Sequence, residues 1–313
     1  MSKNKSLVRQ VQDVLKAKQR FGESKHLAKE QGAASDGIYS RSTFKNYLAI
    51  TCRFVKWVKA EHGGGNGSDG GCGIRTLEQT RPFVDAYLQH HIDNGYSPYT
   101  QKAIASALAK LYGCSTRDFI PTQVRHRANI TRSRKDENGK SKAKFCEVRN
   151  REFVDFCRAT GLRRHELGKL KPVNLHYNQA AGRYMIVGLR GKGGRPVETP
   201  ILCERAVERI KSAPAGELVW SKIPTRADIH SYRADYCRSI YDQHARPIDQ
   251  IPKSERYYCR GDLKGVVYDR WAMAVASRAL GHNRISVIAG HYLYNVGKKD
   301  NFRILVENME VVD

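Results

Sequence analysis

Side chains able to act on a phosphate group recur at five places along this sequence. In Ala159-Thr160-Gly161-Leu162-Arg163-Arg164-His165-Glu166-Leu167, Arg163 stands at a predicted helix start just after a glycine. Free backbone N–H groups there already favour an anion, and Glu166, three residues on, can hold the guanidinium in place. Gly191-Lys192-Gly193-Gly194 sets a lysine on a loop, exposed and able to reach into a cleft or groove. In Ile229-His230-Ser231-Tyr232-Arg233, His230 and Arg233 share a helix face at i,i+3. An arginine grips phosphate oxygens in a planar fork while a neighbouring imidazole moves a proton. In Leu280-Gly281-His282 the glycine lets His282 sit at a helix junction, and Tyr292 follows ten residues later. Taken singly, each has a plain structural reading: a surface Arg–Glu pair, a loop lysine, a wet helix face, one tyrosine among 16.

The elements that must position these residues mix helix and strand past residue 145. Apolar spacing predicts helices over 148–160, 162–170, 204–212, 226–241, 269–280 and 285–295. Two β-like runs, 183–189 and 195–202, flank the Gly191–Gly194 turn as a hairpin. The stretch 242–268, with Pro247, Pro252, Gly261 and Gly265, resists assignment. Upstream the pattern is helical throughout. A helix over 42–59 repeats Phe44, Tyr47, Leu48, Val55 and Val58 on one side, leaving Arg41, Lys45, Arg53, Lys56 and Lys59 for the other. A glycine-rich loop, 63–71, separates it from a helix over 81–94 with Pro82 in its first turn. A third, over 97–112, starts at Ser97-Pro98 and packs Ala103, Ile104, Ala107, Leu108 and Leu111. Residues 1–31 read as a polar, basic helix or arm, and 1–39 is set apart as a basic N-terminal arm. Residues 113–145, carrying Arg125, Arg127, Arg132, Arg134, Lys135, Lys140, Lys142 and Lys144, read as an exposed basic linker.

Charge narrows the partner. The 313 residues carry 55 Lys and Arg against 31 Asp and Glu, a formal net charge of +24. The first 140 residues hold 24 basic and 12 acidic side chains, so the excess is spread evenly and is not a tail. An even cation of this size fits a protein that lays both its domains on a nucleic acid. With 40% hydrophobic residues the chain can build real cores and is not wholly disordered. The 8 cysteines form no C-x-x-C pair and suit neither a zinc site nor a disulfide scaffold, so ordinary thiols in a reducing cytoplasm are expected. No signal peptide is expected from residues 1–14, and no apolar run approaches the ~20 residues needed to span a bilayer.

The order Arg163, Lys192, His230-x-x-Arg233, Leu280-Gly281-His282, Tyr292 resembles the catalytic set of the tyrosine recombinase (phage integrase) family. Residues 146–313 resemble that family's catalytic domain. Residues 40–112, with Ser42-Thr43 and Gly95-Tyr96-Ser97-Pro98-Tyr99-Thr100, resemble its helical core-binding domain. The resemblance implies a mainly helical α+β fold with a small antiparallel β-sheet, closing on duplex DNA as a C-shaped clamp. It makes Arg163 and Arg233 phosphate-clamping arginines, and Lys192 the proton donor to the leaving 5′-hydroxyl. His230 becomes the base or proton shuttle, His282 a hydrogen-bond donor to the scissile phosphate, Tyr292 the nucleophile and Glu166 a supporting carboxylate.

The chain departs from the family pattern in two places. The tyrosine usually lies nine residues past the histidine of Leu-Gly-His. That position here is His291, so Tyr292 is preferred for its near-usual spacing and Tyr294 stays as an alternative. The segment between Arg233 and His282 is also longer than usual, making 242–268 an insertion of unassigned role. The expected activity is site-specific DNA recombination through a covalent 3′-phosphotyrosine, for a mobile element or phage, with no cofactor. Duplex DNA is the expected partner, bound by a tetramer on two DNA sites that is a monomer off DNA, and accessory DNA-bending or excision factors are compatible with it. The competing readings are a type IB topoisomerase-like nicking-closing enzyme and a catalytically silent DNA-binding protein.

Overall fold

The computed structural model describes residues 5–32, 36–63, 73–126, 145–191, 194, 196–282 and 284–293. The chain divides into two compact units, Met1–Asn129 and Ile130–Asp313.

The first unit is helical. Its elements are α1 (Leu7–Ala17), α2 (Lys25–Glu30), α3 (Arg41–His62), α4 (Leu77–Thr80), α5 (Val84–Asp93) and α6 (Pro98–Tyr112). Side-chain oxygens start most of them: Ser6, Ser24, Ser40, Thr76 and Ser97 each accept from a backbone N–H of the first turn. Val11, Leu15, Phe54, Val58, Leu88 and Leu108 bury completely or nearly so in one shared core. The structure corrects two readings here. Within 1–39, α1 does not stand off as an arm, because Leu7, Val11 and Leu15 form an i,i+4,i+8 stripe that seats it on α3 and α6. Nor is 113–126 a free linker. Phe119 is buried in the same core, Ile120 N donates to Asp85 Oδ1 (2.9 Å), and Gln101 and Gln123 bond each other. The cationic run 127–144 lies outside the described residues.

The second unit begins with α7 (Arg151–Thr160) and the one-turn α8 (Arg164–Leu167). β1 (Leu175–Asn178), β2 (Arg183–Arg190) and β3 (Pro196–Pro200) form an antiparallel sheet in that order, with Leu175 opposite Ile186 and Met185 opposite Pro200. Then come α9 (Glu204–Lys211), α10 (Ile229–His244), the hairpin β4 (Arg256–Tyr258) and β5 (Val267–Asp269), α11 (Arg270–Ala279) and α12 (Ser286–His291). The expected helix over 162–170 is cut to one turn because Gly168 closes it and Pro172 opens a new turn. α10 is central. Its Ile229 and Tyr232 belong to a core with Phe153, Leu167, Ile186 and Ile210, while Tyr236, Cys237 and Ile240 belong to a core with Met273, Ala276, Ile288 and Leu293. The helix that carries His230 and Arg233 is therefore clamped between two hydrophobic clusters.

Candidate active site

Gly161 ends α7 in the left-handed region (φ +59°), a conformation that costs any residue with a Cβ. The turn it makes sets Arg163 in extended backbone at the start of α8. Glu166, 1% exposed, then folds back: one carboxylate oxygen accepts from Arg163 N (2.7 Å) and the other from the Arg163 guanidinium (2.8 Å). The sequence pairing of Arg163 with Glu166 is thus present in space. Arg163 keeps about a quarter of its side chain exposed.

Arg233 is buried, with 4% of its surface exposed. Its two terminal nitrogens donate to Gly161 O and Leu280 O, and its Nε lies 3.4 Å from the Tyr292 hydroxyl. Burial pushes the guanidinium down from its ordinary value and the Arg163 charge pushes the same way, while Tyr292 and Glu166 oppose them. An arginine starts so far above neutrality that it keeps its charge. One cation therefore ties together the end of α7, the loop after α11 and the tyrosine.

Tyr292 follows the last residue of α12 and is 4% exposed. His282 Nε2 lies 3.2 Å from its hydroxyl. The rings of His282 and His230 both stand 5.6 Å from the Tyr292 ring, tilted by 51° and 54°. Gly281, at φ +62°, turns the chain after α11. His282 N then donates to Ser277 O (2.8 Å) and Ser277 Oγ donates to His282 O (3.0 Å), which fixes that histidine's backbone. The phenol thus sits between a buried guanidinium and an imidazole nitrogen. Arg163, Glu166, His230, Arg233, His282 and Tyr292 converge. Lys192 and Tyr294 lie outside the described residues.

Sequence reasoning missed the two carbonyls of Gly161 and Leu280, because a backbone oxygen has no residue type to read. It also missed a brace beneath α10. Tyr232 donates to Glu147 Oε1 (3.0 Å), and Arg158 lies over the Tyr232 ring and bonds Asp235 (3.1 Å). Burial raises the Asp235 carboxyl above its ordinary value, with Arg158 opposing; burial and the facing Glu147 carboxylate raise the Tyr232 phenol. Among the described residues, no group of three His, Cys, Asp or Glu side chains could hold a metal, and no helix is long and apolar enough to cross a membrane.

No protein-family model and no curated protein matches the chain. Among solved structures, it is similar to the Tn1549 transposon integrase in complex with transposon right-end DNA, at 11% identity and a TM-score of 0.40, covering 97% of this chain and 98% of that one. It is also similar to the XerH site-specific recombinase bound to its difH substrate, at 14% identity and a TM-score of 0.45, covering 93% and 94%. The XerA recombinase is a further match, at 12% identity and a TM-score of 0.29, covering 97% and 100%.

Proposed function

We propose that this chain is a DNA strand transferase of the tyrosine recombinase kind, cutting and rejoining a phosphodiester through a covalent 3′-phosphotyrosine. The observation that carries the reading is the Tyr292 hydroxyl, held 3.2 Å from His282 Nε2 and 3.4 Å from Arg233 Nε. A phenol of pKa about 10 is a weak nucleophile until a base takes its proton or a cation stabilises its anion. Here both stand against the same oxygen.

The chemistry follows from that placement. The resemblance makes His230 the base, but the 3.2 Å contact favours His282 for that part: with its proton on Nδ1, its Nε2 accepts the phenol proton as the Tyr292 oxygen attacks phosphorus. The new O–P bond forms as the P–O5′ bond breaks, and the 5′-oxygen takes a proton from Lys192, as the family resemblance implies. His230, one helical turn before Arg233, exchanges protons beside the same ring. Charge on the equatorial oxygens has to be neutralised by preorganised donors. Arg163, partly exposed and steered by Glu166, is placed for that. Arg233, expected as the second phosphate clamp, has its terminal nitrogens on backbone carbonyls, so its part is instead to stabilise the phenolate through Nε. Reversal with a second 5′-hydroxyl as nucleophile rejoins the strand without ATP. Two sites with two protomers on each make the working assembly a tetramer on duplex DNA.

The test is a nicked duplex taken from DNA flanking the coding sequence, incubated with the protein and run on a denaturing gel. A protein–DNA adduct that persists in EDTA and is lost in Tyr292→Phe is the expected result. An adduct retained by Tyr292→Phe and lost by Tyr294→Phe overturns the assignment of the nucleophile. Relaxation of a supercoiled plasmid with no target sequence would mark a topoisomerase instead.

A further inference from the structure

The first unit holds a cavity of its own, about 490 Å³, between the start of α1, the C-terminal half of α3 and the segment entering α4. Four cations from three separate stretches line it: Lys5, Lys56, Lys59 and Arg75. Lys56 and Lys59 stand on one face of α3 at i,i+3. Val55 and Ile74 add an apolar wall. Leu7 and Val8 also line it, and as the first residues of α1 their N–H groups have no acceptor within the helix.

Gln10 builds this arrangement. Its Nε2 donates to Lys5 O (2.8 Å) and to Arg75 O (2.7 Å), and its Oε1 accepts from Leu77 N (3.2 Å). One side chain thus pins two cationic residues, distant in sequence, to the two sides of one concavity. Lys5 is paired with Asp13 at 2.8 Å. Among the described residues no carboxylate is paired with Lys56, Lys59 or Arg75. Gathering like charges around a cavity costs free energy that a bound anion relieves. At 1.5 Å per residue, Lys59 lies about 21 Å along α3 from Lys45, so this cluster and the cations at the start of α3 cannot serve one phosphate.

We propose that this cavity binds a phosphate group, taking oxygens on the lysine ammoniums, Arg75 and the α1 N-terminus. The site is independent of the strand-transfer chemistry and stands or falls without it. The phosphate is either that of a small free phosphate compound or a backbone phosphate of DNA, and the test separates the two. The full chain is titrated with pyrophosphate at low salt by calorimetry, alongside Lys56→Gln/Lys59→Gln and, on another segment, Arg75→Gln. One pyrophosphate is expected to bind, at least tenfold more weakly to either variant. The same proteins are then bound to a random duplex across a salt series. If the cavity takes backbone phosphates, the double variant loses about 2 from the slope of log K against log salt, at about 0.9 per contact, and pyrophosphate competes with the duplex. If it takes a free phosphate compound, the slope holds and both bind together. No pyrophosphate binding by the parent chain, or equal binding by all three proteins, overturns the proposal.

Discussion

Replacing Gly161 by alanine tests the turn on which the site is built. The residue sits at φ +59°, and a Cβ there would lie 2.3 Å from Tyr236 Cδ1 and 2.7 Å from its Cγ. The Tyr236 ring has nowhere to go: it is fully buried and its hydroxyl is bonded to Thr199 Oγ1 (2.9 Å) and Pro200 O (2.8 Å). The left-handed backbone costs about 1 kcal/mol and overpacking a filled core about 1–3 kcal/mol. Gly161→Ala should therefore destabilise the second unit by about 2–4 kcal/mol, or roughly 6–12 °C in melting temperature for a domain of this size. Gly182 is the control. It has the same backbone (φ +60°) with nothing within 4 Å of a Cβ, so Gly182→Ala should cost only about 1 kcal/mol. Urea melts of both variants give the difference. Adduct formation should fall in Gly161→Ala alone, since Gly161 O is an acceptor for Arg233. If the two variants unfold within about 0.5 kcal/mol of each other, α7 does not pack this closely against α10.

Other outcomes follow from the same structure. Glu166→Ala frees Arg163 from two hydrogen bonds to a carboxylate, and at about 1.5–3 kcal/mol each should slow adduct formation at least tenfold; single-turnover kinetics at saturating DNA will show whether the loss is in rate and not in affinity. Asp269 caps α11 and is held by Arg246, which brings its carboxyl down to about 2. A depressed carboxyl stabilises above its ordinary pKa of 3.8, so this contribution, about 2 kcal/mol, is complete above pH 4 and disappears as pH falls towards 2. Asp269→Asn should flatten that limb in acid melts. Leu15→Ala opens a cavity in the first unit and should cost about 2–5 kcal/mol in urea; an unchanged melt would return residues 1–39 to the status of a free arm.

Helices with a full apolar stripe and a cap are legible in the residues themselves. The expected 97–112 is observed as Pro98–Tyr112, because Ser97, Pro98 and Gly113 mark its ends by residue type. The expected 204–212 is observed as Glu204–Lys211, legible from its stripe of Ala206, Val207 and Ile210 although no side chain caps its start. Elements without such marks are not legible. β1 (Leu-His-Tyr-Asn) is only four residues long and mostly exposed, too short for its alternation to mark a strand, so only its pairing with β2 makes it one. β4 lies inside 242–268 and β5 crosses its end, and at three residues each both are too short to show a pattern. In α1 the charged residues mask the stripe of Leu7, Val11 and Leu15.

The division at the site has one physical cause. Residue types, helix caps and short spacings act within a turn or two of chain, so they single out Arg163 with Glu166 and His230 with Arg233, whereas Tyr292, ten residues past His282, is picked out only by the order the family resemblance supplies. Contacts between those pairs are made by packing. Arg233 reaches carbonyls 72 and 47 residues away and a hydroxyl 59 residues away, and it does so only because two hydrophobic cores hold α10 between α7 and α11. That the buried guanidinium spends its terminal nitrogens on the backbone, and that His282 Nε2 lies at the phenol, are decisions of tertiary structure that no local rule contains.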